Sequence, residues 1–349
     1  MSAVLAGEPV FLRACRGQAV PYTPVWVMRQ AGRYLPEYRE LRSKVDFLTL
    51  TRRADLAAEV TLQPVRRFPL DAAILFSDIM TPLQGMGVDL TFEPGPVVHH
   101  PVRDEAGIDA LRPLVPERDV PFVLESVQLA RAGLPAGVPL IGFAGAPFTL
   151  LCYLVSGRPS KEFGSARSFL YTQPRAAGRL IDLLADAMAE YLAAQARAGA
   201  QALMLFESWA GLLAPVQYRQ FALRGARRAL DALQGLNVPL IYYANQASAL
   251  MEEVRTLPVQ VVGVDWRTPL TQVRRILGPE LAVQGNLDPA ALFAPAPELL
   301  RQVDAVLEAA GPRGHIFNLG HGIWPETDPD AVARLIDRVH ETSGRRNEA

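Results

Sequence analysis

Residues 174–208 read PRAAGRLIDLLADAMAEYLAAQARAGAQALMLFES. Leu180, Leu183, Leu184, Ala187, Met188, Tyr191 and Leu192 recur at spacings of three and four, which predicts a helix from about Pro174 with one buried face. Gly199 falls where a helix C-cap is expected. Directly after it, Gln201–Ser208 (QALMLFES) is a short, continuously apolar run ending in polar residues. A long amphipathic helix running into a strand that is apolar on both faces is the signature of a parallel sheet covered by helices.

Working outward, the same unit recurs. Upstream lie Pro24–Arg29 (PVWVMR), Asp71–Asp78 (DAAILFSD) and Pro139–Gly145 (PLIGFAG); downstream lie Pro239–Asn245 (PLIYYAN), Gln260–Trp266 (QVVGVDW), Leu281–Asp288 (LAVQGNLD) and Gly314–Gly322 (GHIFNLGHG). A second clear helix spans Asp328–His340, with Val332, Leu335, Ile336 and Val339 on one face. About eight strand–helix repeats predict an α/β fold, a single (β/α)8 TIM barrel. A doubly wound open sheet is the competing arrangement. The chain of 349 residues suits one barrel of roughly 250 residues plus an N-terminal extension and a long loop or hairpin after the second strand, Thr81–Pro101. It is read as one domain over 1–349, with a core of about 9–340, frayed termini and fraying from about Ser343.

Composition narrows the function. A net charge of -1 gives no basic face for nucleic acid. Residues 138–157 are uncharged, but Pro139, Pro147, Gly142, Gly145 and Gly157 break them into strand, turn and helix start, so no membrane span is expected. Cys15 and Cys152 form no disulfide framework, and the first residues lack the order of a secretory signal, which together point to a reduced, cytoplasmic compartment. There is no HExxH, no Cys/His cluster and no glycine-rich nucleotide loop. No metal, nucleotide or flavin is expected.

In a barrel the chemistry sits at the C-terminal strand ends. Polar residues stand there in every repeat but the third: Arg29, Gln30 and Arg33; Ser77 and Asp78; Glu207 and Ser208; Asn245; Asp265; Asn286 and Asp288; Asn318 and His321. Strand ends also enter loops, and loops are polar in any case. Arg29 and Arg33 are four apart around Ala31 and Gly32, so they share a face if helical, or flank a closely approachable backbone if in a loop. Either arrangement offers planar donors for carboxylates; the plainer reading is two solvated arginines. Asp78, after six mostly apolar residues, is a partly desolvated carboxylate or a helix N-cap. His321, between Gly320 and Gly322, is a turn-presented imidazole or a structural histidine. His99 and His100 are adjacent, and on a strand they would point oppositely. Gly320–Gly322 also allows a phosphate site after the eighth strand, as in phosphosugar barrels.

Six segments carry a resemblance. PVWVMRQAGRYLPEYRE (24–40), TLQPVRRFPLDAAILFSDIMTP (61–82), PLIGFAGAPFTLLCYLVSG (139–157), LFESWAG (205–211), QGNLDP (284–289) and NLGHGI (318–323) together resemble the uroporphyrinogen decarboxylase family, in the family's order. The resemblance implies a lyase of tetrapyrrole and heme biosynthesis: a cytoplasmic, homodimeric TIM barrel without cofactor. It removes carbon dioxide from the four acetate arms of uroporphyrinogen III to give coproporphyrinogen III. It implies Arg29, Gln30, Ala31, Gly32, Arg33, Asp78, Tyr153, Ser208 and His321 as substrate-binding residues, with Asp78 and Arg29 catalytic. Arg42 corresponds to a further arginine of the family's pocket. Asn245 stands where some relatives carry lysine and receives no role; Trp209 stands where others carry histidine. Two alternatives remain. One is a corrinoid-linked methyltransferase of the same barrel, which would need a zinc-binding Cys/His cluster. The other is a tetrapyrrole-binding protein without catalysis, which could dispense with Asp78.

Overall fold

The computed structural model describes residues 7–92 and 95–348. Nine strands occur among them: β1 (Ala73–Ile74), β2 (Leu90–Thr91), β3 (Val97–Val98), β4 (Leu140–Gly145), β5 (Ala202–Glu207), β6 (Leu240–Ala244), β7 (Val261–Val264), β8 (Ala282–Gln284) and β9 (His315–Ile316). Seven form one parallel sheet in the order β1-β4-β5-β6-β7-β8-β9. Each is followed in the chain by helix, as the repeats predicted. The helix read from residue 174 is Pro174–Ala198, and Gly199 caps it at φ 124°.

The eighth stave is not a regular strand. Residues 24–27 join the sheet through a bridge between Val25 and Phe317. Trp26 N–H donates to Phe317 O (3.3 Å) and Phe317 N–H to Pro24 O (2.8 Å), while Asp71 N–H donates to Val25 O (2.9 Å). These bonds connect β9 to β1 and close the barrel. The Asp71 side chain reinforces the seam: Oδ2 accepts from Val25 N–H at 2.8 Å and lies 2.7 Å from His340 Nε2, and Oδ1 accepts from Tyr22 OH at 3.0 Å.

The interior is filled as strand alternation requires. Trp26, Met28, Ile74, Ile141, Met204, Ile241, Tyr243, Val261 and Ile316 pack together inside, and the N-terminal helix Val10–Cys15 inserts Phe11, Leu12, Ala14 and Cys15 beneath them. The intervening side chains face the outer helices. Gln195 clamps β4, accepting from Phe143 N–H (2.9 Å) and donating to Phe143 O (3.0 Å). A Cβ on Gly142 would stand 2.7 Å from the Gln195 amide oxygen, so glycine is required at that crossing.

The uncharged residues 138–157 divide into β4 and the helix Pro147–Ser156, and among the described residues no helix is long and apolar enough to cross a membrane. The segment after β1 holds the helix Thr81–Gly85 and the antiparallel hairpin β2–β3, whose residues 93 and 94 lie outside the described residues. The C-terminal end differs from the expected fraying at Ser343. The helix Pro329–Glu348 continues past it, and the buried Ser343 hydroxyl accepts from Thr23 N–H at 2.9 Å. That tertiary bond ties the helix at Ser343 to the chain entering the closing stave; the sequence offered no sign of it. Of the frayed N-terminus expected before about residue 9, residues 1–6 lie outside the described residues.

Replacing Asp71 by alanine leaves the Val25 N–H without its side-chain acceptor and the His340 ring without its partner. A stability loss of about 2–4 kcal/mol is expected, measured as a shift of the urea midpoint. A loss below about 0.5 kcal/mol would show that backbone pairing alone closes the barrel.

Candidate functional site

The closing stave leads straight into the predicted site. After Met28 the chain turns sharply, with Arg29 at φ 65°. For a non-glycine residue this left-handed conformation costs free energy and persists only where the surroundings fix it. Here they do: Met28 N–H donates to Asn318 Oδ1 (2.9 Å), and Ile323 N–H donates to Met28 O (2.9 Å). The Gln30 side chain is fully buried, accepting from Val27 N–H (3.1 Å) and donating to Ala72 O (3.1 Å). Gln30 therefore fixes the turn from inside, and its amide does not face the mouth. Arg29 and Arg33 are exposed; Ala31 and Gly32 are half-buried between them.

Arg29 brings the other predicted residues together. Its charge interacts with Asp78, Tyr153, Tyr243 and Arg33. As a residue it is exposed, yet protein surrounds the guanidinium closely enough for burial to lower its pKa. The same concave setting applies to Asp78, whose side chain is partly accessible. Burial raises its carboxyl to about 6, opposed by the Met80 N–H, which donates to Oδ1 at 2.7 Å, and by Arg29. This single backbone bond is the part of the N-cap reading that holds; the helix Thr81–Gly85 has Met80 as its cap residue. Burial, Arg29 and then Arg267 lower the His321 imidazole to about 4, so it is neutral at pH 7. Tyr153 is raised by burial and keeps its hydroxyl proton. Its ring packs edge-on against Phe163 at 5.3 Å, and Phe163 against Trp209 at 4.7 Å.

Ser208 directly follows β5, half-buried, with its N–H donating to Thr149 Oγ1 at 2.8 Å. That threonine hydroxyl in turn donates to the fully buried Glu207 at 2.5 Å. Burial raises Glu207 from 4.5 to about 8, so it is a neutral acid at pH 7. The Arg42 guanidinium donates to Val45 O at 2.8 Å, and its charge acts on Tyr38.

The remaining strand-end residues hold loops. Asn286 donates to Asp265 O (2.9 Å) and Thr268 O (2.7 Å), and Asn245 donates to Ser208 O (3.2 Å). Asp265, Asp288 and Asn318 accept from nearby backbone N–H groups. The plainer reading of polar strand ends holds for these five.

Two contributions escaped sequence reading. Tyr243 lies inside the barrel and donates to Gly320 O at 2.8 Å, anchoring the His321 loop. Strand alternation from Tyr242, which points outward to Tyr218, could have found it. Glycines 320 and 322 are explained only by neighbours distant in sequence. A Cβ on Gly320 would strike the Trp266 backbone, and one on Gly322 would strike the Arg29 side chain. Phe143, Phe206 and Tyr243 form an edge-to-face row at 5.6 and 5.9 Å beside these groups.

Fold and mouth together define an α/β-barrel protein with a carboxylate, a neutral imidazole and arginines gathered at the C-terminal ends of its strands. The chain belongs to the uroporphyrinogen decarboxylase family, whose profile matches residues 7–342. It is 51% identical to the uroporphyrinogen decarboxylase of Syntrophotalea carbinolica, covering 95% of this chain and 96% of that one. It is 48% identical to the enzyme of that name from Streptomyces griseus, covering 97% and 93%. Among solved structures, a methyltransferase from Methanosarcina mazei superposes with a TM-score of 0.80 at 20% identity over 95% of this chain and 97% of that one. At that identity the likeness is one of fold. Among the described residues, no three of His, Cys, Asp and Glu converge as metal ligands.

Two expectations follow. Gly322→Ala displaces Arg29 with little change in melting temperature, and turnover should fall about 100-fold if Arg29 must be placed to within an ångström; wild-type turnover would mean that the arginine tolerates displacement. Glu207 binds a proton in the fold up to about pH 8 but loses it near 4.5 when unfolded. Between those values the folded state holds more protons, so its contribution to stability falls as pH rises and levels off above pH 8. The melting temperature of wild type should therefore drop relative to Glu207→Gln from pH 5 to 8; parallel curves would contradict a buried neutral acid.

Proposed function

We propose that this protein decarboxylates the four acetate side chains of uroporphyrinogen III, giving coproporphyrinogen III in tetrapyrrole biosynthesis, without a cofactor. The observation that carries the reading is Asp78 within reach of the Arg29 charge in a polar mouth, in a chain about half identical to decarboxylases over nearly its whole length. The substrate presents eight carboxylates around four pyrrole N–H groups. Loss of carbon dioxide needs somewhere for the electron pair to go, and a pyrrole carbon protonated beside the acetate provides it. Asp78 would accept the pyrrole N–H groups and stabilise the cation formed. Arg29 would hold the reacting acetate or relay the proton. A guanidinium holds its proton too tightly in water to be a good bulk acid.

Arg33, Tyr153, Ser208 and His321 would hold peripheral carboxylates. A neutral His321 serves as an N–H donor rather than as a cation. Gly32 and Ala31 contribute backbone and room. The whole chain would act as one barrel unit, in the cytoplasm and as a homodimer, the assembly and location that the family resemblance implies.

The test is anaerobic incubation with uroporphyrinogen III and chromatography of product carboxylates. Stepwise loss from eight to four without added cofactor supports the function; no loss refutes it. Asp78 must be ionised to accept N–H groups, so kcat/KM should fall below a limb near pH 6. Asp78→Asn should lose that limb and about 10²–10³ in turnover. A variant of near-normal turnover would remove Asp78 from the chemistry.

A further inference from the structure

We infer that Arg267 is a further carboxylate-binding residue of this mouth, taking a peripheral carboxylate of the substrate beside His321. The inference rests on the decarboxylase reading above. Arg267 follows β7 at the same C-terminal face of the barrel as Arg29, and it is exposed. Its position is fixed from two sides. The guanidinium lies over the Trp266 ring at 3.7 Å, and the Asp265 carboxylate accepts from the Arg267 N–H at 2.9 Å. The Trp266 ring in turn stands edge-on to His321 at 6.2 Å, and its backbone is in contact with Gly320. The charge of Arg267 reaches both His321 and Tyr243.

The guanidinium of Arg267 makes no hydrogen bond to a described residue. Other arginines of the chain are bonded to carboxylates, as Arg228 is to Asp186 (2.8 Å from Nη2) and Arg338 to Asp304 (2.6 Å). The guanidinium of Arg267 makes only a loose ion pair with Asp265 at 3.6 Å, beyond hydrogen-bond distance, and among the described residues it has no closer acceptor. Stacking occupies one face of the planar cation, and no described residue takes a hydrogen bond from its edge, where the N–H groups lie. An arginine held in place yet uncommitted loses little rotamer entropy when it takes a carboxylate, and its fork matches that group bidentately. With Arg29 it flanks the neutral His321. The rim thus offers two cations to an octacarboxylate at a point where the imidazole supplies none.

Peripheral carboxylates are bound equally before and during reaction, so the signature is in KM. Steady-state kinetics with uroporphyrinogen III should show KM raised about 10–100-fold in Arg267→Ala, the equivalent of one charge-assisted contact. kcat should stay within about threefold and the melting temperature should be unchanged. Arg267→Lys should recover part of the loss. The fall of kcat/KM with added salt should also be shallower in Arg267→Ala than in wild type. An unchanged KM and salt slope in an active enzyme would overturn the inference. So would a loss confined to kcat or to melting temperature, which would mark a structural role. Failure of the wild type itself to release carbon dioxide would instead refute the decarboxylase reading.

Discussion

The seam at residues 24–27 is the constraint on which the rest depends. A seven-stranded parallel sheet has two open edges, and here they are joined by a few backbone bonds and the side chain of one aspartate. Seams this short are weak per residue, so side chains supplement them. Asp71 ties the stave to the first strand and the last helix, Asn318 ties it to the last loop, and Gln30 ties it to the chain entering β1. The stave ends in the left-handed turn at Arg29. Closure of the fold and placement of the central cation are therefore one event, and a fault in the seam is a fault in the site.

The mouth shows how burial and partnership divide labour among similar groups. Asp78, Glu207 and Asp265 are all acids near strand ends, but their surroundings differ. Asp265 is almost fully buried and spends an oxygen on the Arg267 backbone. Glu207 is sealed behind Thr149 and stays neutral. Asp78 has one backbone donor, an arginine nearby and partial access to water, so its carboxyl titrates near 6. Its partial access leaves it able to take a new donor. Likewise Arg29, Arg33 and Arg267 are exposed without a side-chain hydrogen bond to a described residue, whereas Arg228 and Arg338 on outer helices are spent on neighbouring carboxylates.

Much of the fold was legible because its signals are local. Periodicity marked the helix at Pro174–Ala198, its glycine cap and the apolar cores of the strands, since each depends on residues within one turn or one strand. The regular strands came out shorter than the apolar runs because the run ends carry the loops that make the mouth. The motif match brought forward Arg29, Asp78, Tyr153 and His321, and they do converge. It could not separate Gln30, whose amide faces inward, from its neighbours, because the direction of a side chain in a non-repeating turn is set by partners distant in sequence.

By itself the sequence determined the repeating strand–helix order, the parallel sheet and the residue types available for binding carboxylates, because periodicity and motifs are properties of neighbours along the chain. Only the tertiary structure decided the rest. It made the eighth stave a bridge rather than a strand, carried the last helix through Ser343, fitted Gly322 against Arg29, and left Arg267 stacked on Trp266 with its donors unspent. Each depends on a contact between residues far apart in the chain, the stacked pair through the Trp266 backbone against Gly320. Its energy comes from what the closed barrel brings together, and that has no trace in local pattern.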